Sequence, residues 1–334
     1  MRALIVLVLL GAIGDASADP ITLRVASAAP DGTVWAREIQ EFGRGVEETT
    51  HGRVRIRFYL NGVAGDEVEV GARIAAGQLD GAASGQMLCE RVAPSMRISH
   101  FPALFQTREE ATVVMNRLQP TIEAEAHQAS YVLVTTLGLG PSVLFLRRPV
   151  RTLDELRRVR LWRWDLDEVG AVANRVLGLQ VVTTPLDQAT RAYDRGAIDG
   201  FVALPEAALA FQWSTQARYV MDLRFDYFWG CLVVAERAFN RLSPLDQSLV
   251  RDAAARLRER ADLVERELDG ALLGGLFQKQ GLTVLPVPEQ MRTELFAAAQ
   301  AARGALTTRF VSRQLLARVL AILADYRGEQ APHR

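Results

Sequence analysis

The chain has 334 residues, of which 49% are hydrophobic and 23% are charged. That composition is typical of a soluble globular protein, and the length is sufficient for two domains that each have their own core. Lys plus Arg and Asp plus Glu both number 39, so the formal net charge is zero, and this balance argues against a nucleic-acid partner.

Along the chain, predicted strands and helices alternate. Hydrophobic residues two apart indicate strands, and those three or four apart indicate amphipathic helices. The predicted strands cover residues 21–27, 54–59, 131–137, 142–146, 160–164, 179–183, 230–235 and 282–285. The predicted helices cover residues 35–46, 68–78, 107–120 (ended by Pro120), 152–155, 169–177, 185–195, 207–211, a long segment from Ser243 to about Gln280 with a weak spot at 274–275, and the C-terminal region. This order predicts an α/β protein with mainly parallel sheets.

The N-terminus has the layout of a secretory signal peptide. Arg2 precedes an apolar run over residues 3–13, and a small-residue segment, 16–18, follows. The apolar run is shorter than the roughly 20 residues of a membrane-spanning helix, although an uncleaved anchor is the alternative. No Cys lies at the cleavage point to carry a lipoprotein anchor. We therefore expect export, cleavage after Ala18 and a mature chain that begins at Asp19.

The chain contains two cysteines, Cys89 and Cys231. In an oxidising compartment a disulfide between them is one alternative. Both lie in apolar segments far apart in the sequence, which is typical of buried free thiols. Free thiols are the favoured expectation.

A short pattern, G-x-[Leu/Ile]-Asp-Gly, occurs at residues 77–81 and again at 196–200. Each copy follows a predicted helix and precedes a small or apolar strand. One interpretation is two coincidental helix–strand turns, and the other is two similar lobes that each carry this unit. In open α/β sheets the ligand crevice lies outside the carboxyl ends of the strands.

The strand at residues 160–164 carries two tryptophans. Because side chains two apart share a face, Trp162 and Trp164 point one way, whereas Leu161 and Arg163 point the other. Two indoles on one face, followed by the acidic segment 165–168, are unusual for a plain core strand. We predict that this strand forms the floor of a ligand cleft between two lobes.

Known catalytic and metal-binding motifs are missing from the sequence. It contains no G-x-S-x-G elbow, Walker loop or G-x-G-x-x-G motif. The carboxylates at 66–67 and 165–168 begin predicted helices, where acids stabilise the helix dipole. For His100, a structural role is favoured over a cleft-lining one. The four histidines, which are His51, His100, His127 and His333, lack metal-ligand spacing. We expect a binding protein with no catalytic residue, cofactor or metal.

Seven short motifs are spread in order over nearly the whole mature chain. They are residues 26–30 with Trp35, 62–67 (GVAGDE), 77–81 (GQLDG), 101–105 (FPALF), 152–161 (TLDELRRVRL), 196–200 (GAIDG) and 242–247 (LSPLDQ). Together they resemble the DctP-type solute receptors of tripartite ATP-independent periplasmic (TRAP) transporters.

The resemblance implies a type II-like periplasmic binding protein fold with two α/β lobes, joined by crossing strands and a long spanning helix. Lobe I is expected at 19–137 and 229–255, lobe II at 138–228 and 256–327, and a disordered tail at 328–334. The implied function is that of a periplasmic receptor that closes around a small-molecule ligand. It would deliver this ligand to the small and large subunits of a permease driven by an ion gradient.

In two places the sequence departs from the family pattern. Family members that bind carboxylates place an Arg where this chain has Trp162. They also place an Asn before a Pro where this chain has residues 201–205 (FVALP). The chain resembles a branch with Trp-x-Trp in the strand, for which a hydrophobic ligand and an accessory tetratricopeptide-repeat lipoprotein are implied. A Trp offers one N–H donor and a large apolar area, but it cannot replace the charge of an Arg–carboxylate fork.

The predicted site is therefore aromatic and weakly polar. Its predicted residues are Trp162, Trp164, Trp35, Gln86, Gly140, Ala203, Trp213 and Phe228. One alternative keeps the fold but binds a small organic acid through a relocated Arg, for which Arg163, Arg148 and Arg191 are candidates. A further alternative is a secreted enzyme that uses the same cleft.

Overall fold

The computed structural model describes residues 19–307 and 309–330. The predicted signal peptide, its cleavage after Ala18 and the last residues of the predicted tail lie outside these ranges. In this part of the chain, no helix combines the length and the apolar character that crossing a bilayer requires.

Strands and helices alternate as predicted. The strands are β1 (Ile21–Ser27), β2 (Val54–Tyr59), β3 (Gly81–Ser84), β4 (Tyr131–Pro141), β5 (Val143–Leu146), β6 (Arg160–Trp164), β7 (Gln180–Thr184), β8 (Gly200–Ala203), β9 (Tyr219–Met221), β10 (Tyr227–Ala235) and β11 (Thr283–Leu285). The α-helices are α1 (Val34–Thr49), α2 (Glu67–Ala75), α3 (Met87–Val92), α4 (Arg108–Gln128), α5 (Leu153–Arg157), α6 (Glu168–Val176), α7 (Ala189–Asp194), α8 (Pro205–Ala210), α9 (Glu236–Phe239), α10 (Pro244–Ala271), α11 (Phe277–Lys279), α12 (Glu289–Leu306) and α13 (Arg313–Gln330). Short 3₁₀ helices cover Pro94–His100, Leu186–Gln188 and Trp213–Gln216.

Two sheets form the centres of two lobes. The first has the strand order β2-β1-β3-β10-β4, and the second has the order β11-β9-β5-β8-β6-β7. Strand β10 runs antiparallel to both of its neighbours, and so does β5, whereas the other pairs are parallel. The sheets are therefore mixed, and the expectation of mainly parallel sheets holds only narrowly, with five parallel and four antiparallel pairs among the described strands. All four antiparallel pairs involve β5 or β10, the strands that follow the two points where the chain passes from one lobe to the other.

The two crossings lie side by side. Strand β4 of the first sheet ends at Pro141 and β5 of the second begins at Val143, while β9 leads back into β10. The backbone N–H of Ser142 donates to the carbonyl of Asp226 over 2.9 Å, which ties the crossings together. Helix α10 contacts both α1 and α8. The predicted two-lobe α/β fold, with crossing strands and a long helix, is confirmed.

Two helix ends differ from the predictions. Helix α4 continues past Pro120 to Gln128, so the expectation that this proline ends the helix is wrong. The later turns bury Ile122 and Ala126 in the core of the first lobe, and this packing outweighs the cost of an internal proline, about 3 kcal/mol. The long helix α10 ends at Ala271 and is followed by a wide turn in which Gly275 has a φ of 155°.

The repeated G-x-[Leu/Ile]-Asp-Gly unit occupies the same place in each lobe. Asp80 precedes β3 and accepts a hydrogen bond from Arg24 Nε on β1 over 2.8 Å. Asp199 precedes β8 and accepts one from Arg160 Nε on β6 over 2.7 Å. The interpretation of two similar units, one in each lobe, is confirmed.

Cys89 and Cys231 form a disulfide, so the expectation of free thiols is wrong. Cys231 pairs with Ser84 in the ladder between β10 and β3. Helix α3 follows β3 directly and brings Cys89 to a Cα–Cα distance of 5.8 Å from Cys231, within the range that a disulfide needs. The apolar surroundings, which indicated buried thiols, suit a buried disulfide equally well.

The last helix packs on the first lobe. Val319 and Leu323 of α13 are buried in the same core as the residues of β1 and α4, although residues 256–327 were expected in lobe II. Helix α13 extends to Gln330, three residues into the segment expected to be a disordered tail.

Candidate functional site

A cavity of about 230 Å³ lies between the two lobes. The first lobe contributes the ends of β1 and β3, part of β4 and the start of β10, and the second contributes β6 and β8. Helices α1 and α10 close its sides. It therefore lies outside the carboxyl ends of β1, β3, β6 and β8, where α/β proteins bind ligands.

Seven of the eight predicted site residues lie in the lining of this cavity. They are Trp35, Gln86, Trp162, Trp164, Ala203, Trp213 and Phe228. Gly140 does not line it. This glycine has a φ of +103°, and a Cβ there would lie 3.0 Å from Arg108 Nη2. Glycine is therefore favoured at this position because the backbone has a positive φ and because a side chain would contact Arg108. Trp229, the remaining tryptophan of the chain, is buried in the core of the first lobe and does not line the cavity.

Trp162 links the cavity to the core of the second lobe. The residue is 4% exposed, and its Nε1 donates to Thr184 Oγ1 on the neighbouring strand β7 over 2.8 Å. Its ring meets the ring of Trp213 edge to face, with centroids 5.2 Å apart. Trp162 is therefore both a lining residue and a packing residue.

Arg163 also lines the cavity, although strict alternation had placed it on the opposite face from the tryptophans. Strand β6 ends at the cavity, so side chains from both of its faces reach the lining. The Arg163 side chain is 3% exposed. Its Nη1 lies 3.1 Å from Asp167 Oδ2 and its Nη2 lies 3.5 Å from Asp226 Oδ2. Two carboxylates thus lie beside this guanidinium, whereas its Nε and Nη2 have no hydrogen-bond partner among the described residues.

His100 completes the same buried charge cluster at the crossing strands. The ring is 1% exposed and lies outside the cavity lining, as the structural role favoured for it requires. Its Nε2 lies 3.5 Å from Asp226 Oδ2, and its Nδ1 lies 3.5 Å from Glu90 Oε1. Burial alone would lower the pKa of His100, but Asp167, Glu90 and Asp226 raise it to about 9. A protonated imidazole therefore joins groups from both lobes at neutral pH.

The acids at helix starts have the roles expected from their positions. Asp66 caps α2, and Asp167 caps α6 by accepting from the Gly170 N–H over 2.8 Å. Glu67 is buried and accepts hydrogen bonds from the Ser84 hydroxyl and from the backbone N–H groups of Gly85 and Leu88. Burial raises the pKa of Glu67 despite these bonds. These contacts account for the carboxylates structurally.

Phe211 and Glu265 are among the lining residues that were not predicted from the sequence. Glu265 lies on the face of α10 that also presents Leu257, Ala261 and Val264 to the cavity. These positions recur every three or four residues and therefore share one face of the helix. In the sequence, Glu265 could have been recognised as an acid within this otherwise apolar face. Trp35 Nε1 donates to Glu265 Oε1, which connects α1 of the first lobe to α10.

Comparisons with a protein-family model and with curated proteins both find solute-binding proteins. The family model for bacterial extracellular solute-binding proteins, family 7 (DctP), matches residues 25–305. A solute-binding protein of Chromohalobacter salexigens is 24% identical over 229 residues, which span 65% of this chain and 65% of that protein.

Solved structures of the same type superpose well. A TRAP periplasmic solute-binding protein from Desulfovibrio desulfuricans, with bound sn-glycerol-3-phosphate, has a TM-score of 0.85 at 16% identity and covers 94% of this chain and 99% of its own. DctP7 of Bordetella pertussis, a receptor binding pyroglutamic acid, has a TM-score of 0.82 at 19% identity and covers 91% and 99%. At these identities the likeness shows the fold.

Proposed function

Because the chain belongs to family 7 of the bacterial extracellular solute-binding proteins, the DctP family, we propose that it is the ligand receptor of a TRAP-type transporter. It captures a small ligand in the cavity between the lobes and delivers it to a membrane permease for uptake driven by an ion gradient. The fold supports this role, because lobes joined at adjacent crossing strands can close around a ligand.

The ligand is largely apolar or aromatic. The observation that carries this proposal is the cavity lining, which contains six aromatic rings: Trp35, Trp162, Trp164, Phe211, Trp213 and Phe228. One buried Trp contributes roughly 4–6 kcal/mol of apolar contact as an upper bound. In the family position for the carboxylate-binding Arg, this chain has Trp162, whose single N–H already donates to Thr184.

A small organic acid is the second candidate, and the neighbours favour it. The Bordetella receptor binds pyroglutamic acid, and the Desulfovibrio receptor was solved with glycerol-3-phosphate. Of the Arg candidates in this chain, Arg148 and Arg191 are exposed and do not line the cavity. Arg163 lines it, but a ligand carboxylate would have to compete with Asp167 and Asp226 for this guanidinium. The aromatic proposal therefore has the stronger support.

Export and partners follow from the same proposal. The mature receptor begins near Asp19 after signal-peptide cleavage and acts in the periplasm, where the Cys89–Cys231 disulfide is chemically stable. Its proposed partners are the small and large permease subunits. The resemblance to the Trp-x-Trp branch suggests a tetratricopeptide-repeat lipoprotein as a further partner. An enzymatic use of the cleft is not favoured, because Glu38, Glu67 and Asp167 of its lining have structural contacts.

The test is to identify what the protein binds. Mass spectrometry of the native receptor should detect an aromatic or lipid-like compound that co-purifies. In a thermal-shift screen, aromatic compounds should then raise the melting temperature of the protein more than dicarboxylates or 2-oxo acids do. Trp164→Ala should reduce this shift, and Trp229→Phe, which changes an indole outside the lining, is the matched control. A larger shift with carboxylates would favour the organic-acid candidate.

A further inference from the structure

A guanidinium in the cavity lining has donors without partners. Arg163 lines the cavity and is 3% exposed. Its Nη1 donates to Asp167 Oδ2 over 3.1 Å, whereas neither its Nε nor its Nη2 has a hydrogen-bond partner among residues 19–307 and 309–330. Asp226 Oδ2 lies 3.5 Å from Nη2, close enough for an ion pair but without the geometry of a hydrogen bond. Most buried donors in proteins are paired, so these two groups indicate a missing acceptor.

Neighbouring groups hold this guanidinium in place. Asp167, which pairs with its Nη1, is itself fixed, because the other carboxylate oxygen accepts the backbone N–H of Gly170 over 2.8 Å. Helix α6 also approaches the guanidinium closely, since a Cβ at Gly170 would lie 2.9 Å from Arg163 Nη1. The unpaired donors are therefore preorganised, and an acceptor on a ligand would not have to order a flexible side chain in order to use them.

The charges around Arg163 favour an uncharged acceptor. The buried cluster at the crossing strands contains three carboxylates and two basic side chains: Glu90, Asp167, Asp226, Arg163 and His100. Even with the histidine counted as a cation, the carboxylates are in excess. A ligand carboxylate would add a further negative charge to this buried place, where like charges repel strongly. A carbonyl oxygen accepts the same N–H groups without adding a charge, and an ammonium group cannot accept them at all.

We propose that Arg163 donates to an uncharged carbonyl oxygen of the ligand, so that the receptor selects aromatic or apolar compounds that carry a ketone, ester or amide group. This inference rests on the proposed receptor function and names the polar group of its ligand. It differs from the organic-acid candidate, which requires a carboxylate. Hydrogen bonds from a guanidinium are charge-assisted and therefore strong.

The neighbours of Arg163 on β6 supply the apolar part of the same site. Trp162 and Trp164 line the cavity on either side of Arg163 in the sequence. The donors and two of the indoles therefore lie at the end of one strand, which suits a compound that joins an aromatic ring to a carbonyl group by a short chain. A hydrocarbon would contact the indoles but leave the donors of Arg163 unpaired, and a site built in this way discriminates against such a ligand.

Three probes of similar shape test the proposal: 4-phenylbutan-2-one, butylbenzene and 3-phenylpropionate. They share a phenyl ring and its spacer, and they differ in ending with a ketone, a hydrocarbon or a carboxylate. We would titrate each into the full mature chain by calorimetry at neutral pH. The wild type should bind the ketone roughly tenfold or more tightly than butylbenzene, which is the ratio expected for one hydrogen bond to a charged group. It should also bind the ketone more tightly than 3-phenylpropionate.

A charge-conserving variant tests the role of the guanidinium itself. Arg163→Lys keeps a positive charge beside Asp167 and Asp226 but removes the guanidinium donors, so it should abolish the preference for the ketone over butylbenzene. Arg148→Lys makes the same change at an exposed position outside the lining and should behave like the wild type. A second measurement needs no variant. In infrared spectra, the wild-type protein should shift the carbonyl band of the bound, isotopically labelled ketone below its frequency in water, because a charge-assisted hydrogen bond weakens the C=O bond.

The other outcomes overturn the proposal. If the ketone and butylbenzene bind equally to the wild type, or if the carbonyl band does not shift, Arg163 does not bind the carbonyl group, although the aromatic receptor stands. If Arg163→Lys weakens both of these probes by one common factor, the role of Arg163 is structural. Tightest binding of 3-phenylpropionate would replace this inference by the organic-acid candidate. No binding of any probe would overturn this inference and the aromatic ligand together.

Discussion

Replacing Trp162 by Ala should change stability and ligand binding together. The side chain is 4% exposed and belongs to the core cluster of the second lobe with Trp213 and Phe201. Truncation of a buried Trp to Ala destabilises by about 3–5 kcal/mol. It also enlarges the cavity and removes an indole from its lining, so affinity for an aromatic ligand should fall by about tenfold or more.

Two companion variants separate packing from binding. Trp162→Phe keeps an aromatic ring and loses the hydrogen bond to Thr184, so its unfolding free energy should fall by only about 0.5–1.5 kcal/mol. Trp164 lines the cavity but is only half-buried, so Trp164→Ala should weaken binding with a smaller loss of stability. Urea unfolding measures the first quantity, and calorimetry with the best aromatic compound of the thermal-shift screen measures the second.

The reasoning on Trp162 fails under either of two results. An unchanged unfolding free energy for Trp162→Ala would show that the indole is not part of the core. A large loss of stability with unchanged affinity would show that Trp162 is a core residue only and that the aromatic site is wrongly assigned.

Three further predictions concern groups other than the aromatic lining residues. Because its carboxylate neighbours raise the pKa of His100 to about 9, its stabilisation should be fully present below about pH 6.5 and lost as the pH rises through about 9, up to roughly 3 kcal/mol. Urea unfolding across that range should show a smaller loss for His100→Gln, and equal losses would contradict the assignment. Reduction of the Cys89–Cys231 disulfide should lower the unfolding free energy by about 2–5 kcal/mol, because it closes a long loop. An unchanged urea midpoint in reductant, with thiol release verified, would count against that. Asp80→Asn should destabilise by about 1–3 kcal/mol, because the Arg24 guanidinium loses a charged partner, and a cost below the error of urea unfolding would refute the role of this turn.

Much of the fold could be predicted because its signals are local. The side chains of Thr107, Thr152 and Ser243 each accept a hydrogen bond from the backbone N–H three residues later, at the helix starts predicted from their sequences. The turn aspartates Asp80 and Asp199 also have a local signal, because each lies in the same short motif just before a strand and contacts an Arg on the adjacent strand. Such contacts depend on residues a few positions apart, or on one adjacent strand.

The aromatic part of the site was also readable from the sequence. Trp162 and Trp164 are two residues apart on one strand, and that spacing alone places two indoles together. Strand alternation was insufficient for Arg163, because at the end of a strand the packing of neighbouring elements decides where a long side chain goes.

Three features were decided by the tertiary structure alone. The disulfide joins residues 142 positions apart, and only the folding of α3 over the sheet brings them together. The second carboxylate beside Arg163 belongs to Asp226, which the crossing strands supply. The sequence by itself determined the alternating strands and helices and the two indoles of one strand, because strand and helix periods are properties of neighbouring residues. The two-lobe receptor fold was predicted from the resemblance to the DctP family. The polar contacts inside the cleft depend on which distant side chains meet, and only the packing of α1 against α10 brings Trp35 to Glu265.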